Sequence, residues 1–171
     1  MDSDQPFNEV KAKSPDLFDD ENYRSLAYDL GVYTLLFGNL EAILSFYIGF
    51  LIHDPAAAMY KYAEKLQYVD RAGLFCDLVV GRLPEYAPIV IQLKRDLKSI
   101  AEERNIIVHN GVKVQGDKLL LQTLDGKKSI DAANLKALII KLQELSDRVA
   151  TVWMTLTYNE AGWSEHQNIT T

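Results

Sequence analysis

One short segment of the sequence combines three side chains that suit the chemistry of anions. Arg104, Asn105 and His109 lie within six consecutive residues. In a helix, Asn105 and His109 are four residues apart and share one face, while Arg104 is turned about 100° from Asn105. The arginine is an always-charged donor, the imidazole can titrate near neutral pH, and the amide can orient the imidazole. The segment therefore predicts a site for an anion, with a histidine available for proton transfer.

A structural alternative exists for the same residues. Arg104 lies on an apolar helical stripe, where a charge is costly unless it is paired or faces a polar cavity. Glu41 also lies on an apolar face, because it follows Phe37 by four residues and precedes Leu44 by three. Arg104 could therefore pair with Glu41, in one chain or across a dimer, and His109 could cap its helix. In the functional interpretation, Glu41 supports the site as the partner of Arg104 rather than as a proton-transfer group.

Four stretches with helical periodicity would position these side chains. The first helix is predicted from Asp20 to Ile52, and the second from about Pro55 or Met59 to Val80. The third begins between Pro84 and Pro88 and ends at Gly111. The fourth runs from a cap at Ser129 or Asp131 to about Tyr158. The period changes over residues 112–121, which predicts a short β-hairpin with its turn at Gly116. We therefore predict an all-α fold, a four-helix bundle with a short β-hairpin before the last helix.

The chain divides into one folded domain and two polar ends. We predict a loose acidic arm over residues 1–20, a helical domain over 21–158 and a polar tail over 159–171. The first helix is apolar on nearly every face, which indicates that more than one side is buried. In a chain of 171 residues, a second copy is expected to cover part of this helix, so we predict a homodimer.

Composition excludes several classes of protein. The net charge of −6 argues against a nucleic-acid coat protein, and we expect no DNA partner. A single cysteine, Cys76, and three scattered histidines predict no metal site, and no cofactor fingerprint is present. The first residues are acidic, and the longest apolar run, 40–52, is too short to span a bilayer. We therefore expect a cytoplasmic protein with no membrane contact.

The candidate segment resembles a known family signature. Arg104-Asn105-x-x-x-His109 looks like the R-x4-6-H motif of the HEPN superfamily, including the polar residue that often follows its arginine. The run Leu35–Glu41 is similar to segments of bacterial HEPN-like proteins, and the resemblance spans roughly Tyr23 to Tyr158. It implies a dimeric helical bundle whose two motifs meet in a cleft. In catalytic members, which include toxins and phage-defence proteins, that cleft is a metal-independent endoribonuclease site.

The resemblance also implies a role for each residue. His109 would take the proton of an RNA 2′-hydroxyl or protonate the leaving 5′-oxygen, Arg104 would hold the phosphate, and Asn105 would fix the imidazole. The substrate would be RNA, the product would carry a 2′,3′-cyclic phosphate, and no metal or cofactor would be needed. A toxin would have an antitoxin protein as partner, although Gly111 stands where members modified by a nucleotidyltransferase antitoxin often carry tyrosine. The alternative is a non-catalytic HEPN-like helical dimer that binds a protein or a nucleotide.

Overall fold

The computed structural model describes residues 21–52, 58–109, 112–115, 118–122 and 129–160. These ranges hold helices α1 (Glu21–Leu51), α2 (Ala58–Lys65), α3 (Tyr68–Arg82), α4 (Ala87–His109) and α5 (Ala132–Glu160), with strands β1 (Val112–Gln115), β2 (Lys118–Gln122) and β3 (Ser129–Ile130). The all-α helical bundle predicted from the sequence is confirmed. The arm over residues 1–20 and the chain beyond Glu160 lie outside the described residues.

Helix α1 forms the centre of the bundle. It packs against α2, α3 and α5, while α4 packs against α3 and α5. Leu40, Leu44 and Ile48 recur at four-residue spacing along α1 and are fully buried. This spacing places them on one face, so that burying their side chains orients the whole helix. That orientation also decides which α1 residues reach the candidate site.

The prediction of one helix from about Pro55 or Met59 to Val80 is wrong, because the chain forms two helices there. The break falls at Leu66 and Gln67, and Gln67 has an extended backbone with φ −62° and ψ 153°. A helix end leaves carbonyl groups without partners. Arg71 supplies them, donating hydrogen bonds to the carbonyl oxygens of Ala63 (2.8 Å), Glu64 (3.0 Å) and Leu66 (2.9 Å). This side chain therefore stabilises the junction between α2 and α3.

The other helix ends agree more closely with the sequence. Helix α4 begins at Ala87, after a 3₁₀ turn over Pro84–Tyr86, and ends at His109. Helix α5 has the predicted cap, since a carboxylate oxygen of Asp131 accepts a hydrogen bond from the backbone N–H of Asn134 at 2.7 Å. The predicted stops at Asp54-Pro55 and at Gly111, and the predicted cap before residue 21, lie outside the described residues.

The predicted hairpin is present and carries a third strand. Strands β1 and β2 pair antiparallel, with Val112 opposite Leu121, and β3 continues the sheet with Ile130 opposite Leu121. Leu121 and Ile130 are buried, which attaches this small sheet to the helices. The predicted turn at Gly116 lies outside the described residues.

Helix α1 also has an exposed apolar surface, here called the outer face. It comprises Tyr28 (72% exposed), Leu35 (67%), Phe46 (57%) and Phe50 (50%). Gly31 and Gly38 share this side, and a Cβ added to either would meet no atom within 4 Å. By length and composition, α1 is long and apolar enough to cross a membrane. Its opposite face, however, is buried among the other helices, as expected for the core helix of a bundle.

Candidate functional site

The predicted site residues lie together in one cleft of about 400 Å³. Arg104, Asn105 and His109 reach it from the last turns of α4, and Glu41 reaches it from α1. The start of α3 forms a further wall through Gln67, Tyr68 and their neighbours. The volume falls within the range of roughly 300–1,000 Å³ that is common for small-molecule sites. The four candidates are therefore placed around one space that a ligand can enter.

Arg104 is half-buried and does not pair with Glu41 within one chain, while their pairing across a dimer stays a prediction. The guanidinium carbon lies 5.7 Å from the centre of the Phe37 ring, which is a cation–π contact. Among the described residues, no carboxylate forms an ion pair with Arg104. The aromatic ring supports one side of the guanidinium and leaves its N–H groups without a carboxylate acceptor. Such an arginine is suited to bind an anion that enters the cleft.

Glu41 pairs instead with Arg71. Its Oε1 lies 3.8 Å from Nη1 of Arg71, and the side chains are 31% and 8% exposed. The same guanidinium donates a hydrogen bond to the backbone oxygen of Glu41 at 3.2 Å. Arg71 therefore connects α1 to the junction of α2 and α3 and holds Glu41 beside the cleft. Arg71 offsets part of the charge of Glu41, which lessens the repulsion of this carboxylate for an anionic ligand.

Sequence reasoning missed Arg71, although a signal was present. It lies three residues after Tyr68 and four before Phe75, on the buried stripe of α3. A charge on such a stripe needs a partner, which is the argument that was applied to Arg104. Short-range carbonyl acceptors satisfy Arg71, whereas Arg104 opens onto the cleft. The stripe alone does not distinguish these two environments.

His109 and Asn105 are both exposed at the end of α4. His109 is the last residue of the helix, four residues after Asn105, so the two lie on the same side. Neither side chain forms a hydrogen bond with another side chain or backbone group in the described part of the chain. Both remain available to a ligand. An exposed imidazole can exchange protons with solvent between turnovers, as a general acid or base must.

Tyr68 forms the buried wall of the cleft. Its ring is tilted against Phe37 with 4.6 Å between ring centres. Its hydroxyl is buried and has no hydrogen-bond partner among the described residues. Burial raises the pKa of Tyr68 well above its usual value, the nearby Tyr33 and Glu41 raise it further, and Arg71 opposes them. The hydroxyl therefore stays protonated and is a donor that lacks an acceptor.

The cleft has the groups for anion binding and proton transfer. Within the described ranges, no set of three or more His, Cys, Asp or Glu side chains could hold a metal ion. Comparisons with models of protein families, with curated proteins and with solved structures find no match for this chain. Its function is therefore inferred from the chemistry of these residues.

Proposed function

We propose that the protein is a metal-independent endoribonuclease of the HEPN type. One observation carries the proposal: the three residues that match the HEPN signature, Arg104, Asn105 and His109, all line one cleft. Arg104 has no carboxylate partner among the described residues, and His109 is exposed. The structural alternative pairs Arg104 with Glu41, and within one chain Glu41 pairs with Arg71 instead. An unpaired guanidinium beside an accessible imidazole supports phosphate chemistry.

The proposed reaction needs only groups of the protein and of the RNA. A 2′-hydroxyl attacks the adjacent phosphorus as the His109 imidazole of one copy accepts its proton. The new bond joins phosphorus to the 2′-oxygen, and the bond to the 5′-oxygen breaks as an acid protonates that oxygen. Arg104 would neutralise charge on the non-bridging oxygens, and Asn105 would orient the ring. The products are a 2′,3′-cyclic phosphate and a 5′-hydroxyl.

A second copy of the chain would supply the second imidazole, because one histidine cannot be base and acid in the same step. The outer face of α1 offers apolar surface for a homodimer, but it lies on the opposite side of the helix from the cleft residues Phe37 and Glu41, so it supports dimerisation and not by itself the meeting of two clefts. At about 200 Å² per aromatic side chain, the exposed parts of Tyr28, Phe46 and Phe50 offer about 350 Å² per copy. Two copies would bury about 700 Å² through these residues, and Leu35 with its neighbours would bring the total towards the roughly 1,000 Å² of a specific interface. Static light scattering at micromolar concentration should give the dimer mass, and a monomer would contradict this assignment.

In this proposal the protein acts in the cytoplasm as a toxin or a phage-defence nuclease. A toxin would require an antitoxin protein as its partner, and that partner would have to close or cover the cleft. The resemblance of residues 35–41 and 104–109 to bacterial HEPN-like proteins supports this setting. Neither a membrane nor DNA is part of the proposal.

The decisive variants are His109→Ala and its neighbour Val108→Ala. Val108 is 49% exposed and does not line the cleft, so it is a matched control. In the presence of a chelator, the wild-type protein and Val108→Ala should cleave a mixture of RNAs. His109→Ala should lose roughly 10²–10⁴-fold in rate, the usual value of a general acid or base.

Two results would contradict the proposal. Wild-type protein that leaves every RNA intact would favour the alternative, a helical dimer that binds a protein or a nucleotide without cleaving it. Cleavage that survives His109→Ala would place the activity at another site or in a contaminating nuclease. A circular dichroism spectrum unchanged from wild type should accompany His109→Ala, because this exposed side chain has no described structural partner.

A further inference from the structure

The face of helix α4 that lines the cleft continues beyond it. Ala101, Asn105 and His109 line the cleft from this helix. Lys98 lies seven residues before Asn105, which is close to two helical turns, so both side chains leave α4 on the same side. Lys94 lies one turn further back. These five residues are here called the α4 row.

Contacts at both ends of the α4 row show that it faces α3. At one end, the cleft residues of the row lie opposite Val69, near the start of α3. At the other end, Nζ of Lys94 lies 2.7 Å from Oδ1 of Asp77 in α3. A Cβ added to Gly73, also in α3, would lie 3.7 Å from Cε of Lys94. Lys98 lies between these two ends, so it borders the same side of the bundle as the cleft.

Lys98 is the unpaired cation of the α4 row. Its side chain is exposed, and it forms neither an ion pair nor a hydrogen bond within the described ranges. The pairing of Lys94 with Asp77 leaves less of its charge for a ligand. Glu102 is exposed one turn after Lys98, but no ion pair joins these two described residues. Lys98 is therefore placed, about 10 Å along the axis from Asn105, to attract a second anionic group of a ligand in the cleft.

The size of the cleft requires an RNA strand to extend beyond it. A cleft of about 400 Å³ is near the lower end of the range for small ligands and has room for about one nucleotide. The rest of the strand must then cross the surface of the bundle. Proteins that bind single-stranded nucleic acids use cationic groups to follow the phosphate backbone. On the α4 row, Lys98 is the first such group that the strand meets outside the cleft.

We propose that Lys98 binds a backbone phosphate of the RNA outside the cleft, and that the strand leaves the cleft along the α4 row. Its ammonium group would attract the phosphate without reading the base. Lys94 would add a weaker attraction further along the same path, because Asp77 offsets its charge. Lys98 takes no part in proton transfer, so it binds substrate without being catalytic. This inference rests on the proposal that the cleft binds RNA, and it assigns the path of the strand.

The test is the binding of an RNA of eight nucleotides to the full chain, followed by fluorescence anisotropy. Every 2′-hydroxyl is replaced by fluorine, so that no 2′-oxygen can attack and the strand stays intact. At low salt, Lys98→Gln should weaken binding roughly two- to fivefold, the usual value of an exposed ion pair. The slope of log affinity against log salt should fall by about 0.7, the value of one phosphate contact on a single strand. An unchanged affinity and slope would overturn the inference.

Two further variants locate the effect. Lys136→Gln makes the same charge change at an exposed lysine of α5, a helix with no residue among those lining the cleft, and should leave affinity and slope unchanged. Glu102→Gln removes the anion one turn from Lys98 and should tighten binding by a similar factor. If Lys136→Gln weakens binding as much as Lys98→Gln, the effect belongs to the overall charge and the inference is wrong.

The length of the strand gives an independent check. A dinucleotide with the same fluorine substitution occupies the cleft but is too short to reach Lys98. In competition with the labelled strand, it should bind equally well to the wild-type protein and to Lys98→Gln. A loss of dinucleotide affinity equal to that of the longer strand would place the action of Lys98 inside the cleft and overturn the proposed path.

The results separate this inference from the proposed function. Binding that depends on Lys98, without cleavage of unmodified RNA, would support the path and refute the nuclease. Cleavage that depends on His109, with unchanged binding in Lys98→Gln, would leave the ribonuclease proposal intact and refute the path. A wild-type protein that does not bind the modified strand would also refute it.

Discussion

Two arginines of this chain lie near the same cleft, and the same substitution should have a different effect at each. Replacing Arg71 should lower the stability of the fold, and replacing Arg104 should lower the cleavage of RNA. Arg71 is almost completely buried, donates four hydrogen bonds to backbone oxygens, and lies 3.8 Å from Glu41. Arg104 has a cation–π contact with Phe37 and no described carboxylate partner. Methionine retains much of the length of either side chain but removes its charge and its donors. The pair Arg71→Met and Arg104→Met therefore separates structure from function.

The expected magnitudes differ severalfold. Arg71→Met leaves Glu41 and three carbonyls of the α2–α3 junction without their donor, and breaking such a buried pair costs about 3–5 kcal/mol. In a chain of this size, that loss lowers the melting temperature by roughly 6–20 °C. Arg104→Met removes a cation–π contact worth about 0.5–1 kcal/mol, so the melting temperature should change by only a few degrees. RNA cleavage should instead be lost in Arg104→Met.

Urea unfolding followed by far-ultraviolet circular dichroism measures both variants, at one protein concentration because a dimer is stabilised by mass action. The reasoning is refuted if Arg104→Met destabilises the fold as much as Arg71→Met does. It is also refuted if Arg71→Met unfolds at the same urea concentration as the wild-type protein. Either result would mean that the roles assigned to the two guanidinium groups are wrong.

Other parts of the fold give independent predictions. Gly38→Ala should stabilise the subunit by about 0.5–1 kcal/mol in urea unfolding, because the added Cβ meets open space. The same substitution should weaken a dimer formed by the outer face, as measured by sedimentation. Burial raises the pKa of the Cys76 thiol to about 12, so at about pH 8 it should react with a thiol reagent only after unfolding. Burial alone would raise the pKa of Asp96, but hydrogen bonds from Arg148 and Gln92 lower it below its usual value. Stability from this group is present above its unfolded pKa of about 3.9 and is lost as pH falls through the folded pKa, so Arg148→Met should reduce the acid sensitivity of unfolding below about pH 4.

Helical periodicity was sufficient to predict the bundle because each helix buries one face. The cap at Asp131 and the hairpin after α4 followed from local residue chemistry in the same way. The break at Leu66 and Gln67 could not be found by periodicity, since apolar residues continue across it. The break depends on Arg71, whose guanidinium reaches back to Ala63, Glu64 and Leu66. That contact forms only when α2 and α3 pack together, so the periodicity of the sequence does not reveal it.

The candidate site shows the same division. Spacing within one helix was enough to place Asn105 and His109 on the same side of α4. Within one chain the partner of Glu41 is Arg71 rather than Arg104, because two arginines occupy apolar stripes and sequence alone does not show which one reaches this carboxylate. The sequence does not single out Tyr68 as a site residue, because an aromatic side chain in a helix usually has a packing role. Its unpartnered hydroxyl becomes evident only when the surrounding residues are in place.

The central claim is that the cleft cleaves RNA through its 2′-hydroxyl with His109 as the proton-transfer group. Mass spectrometry of the fragments from a defined RNA, digested in chelator, tests it most directly because the ends of the fragments record the chemistry. The account predicts 2′,3′-cyclic phosphate ends and 5′-hydroxyl ends from the wild-type protein, and uncut RNA from His109→Ala. Fragments with 3′-hydroxyl and 5′-phosphate ends, or identical fragments from His109→Ala, would contradict it.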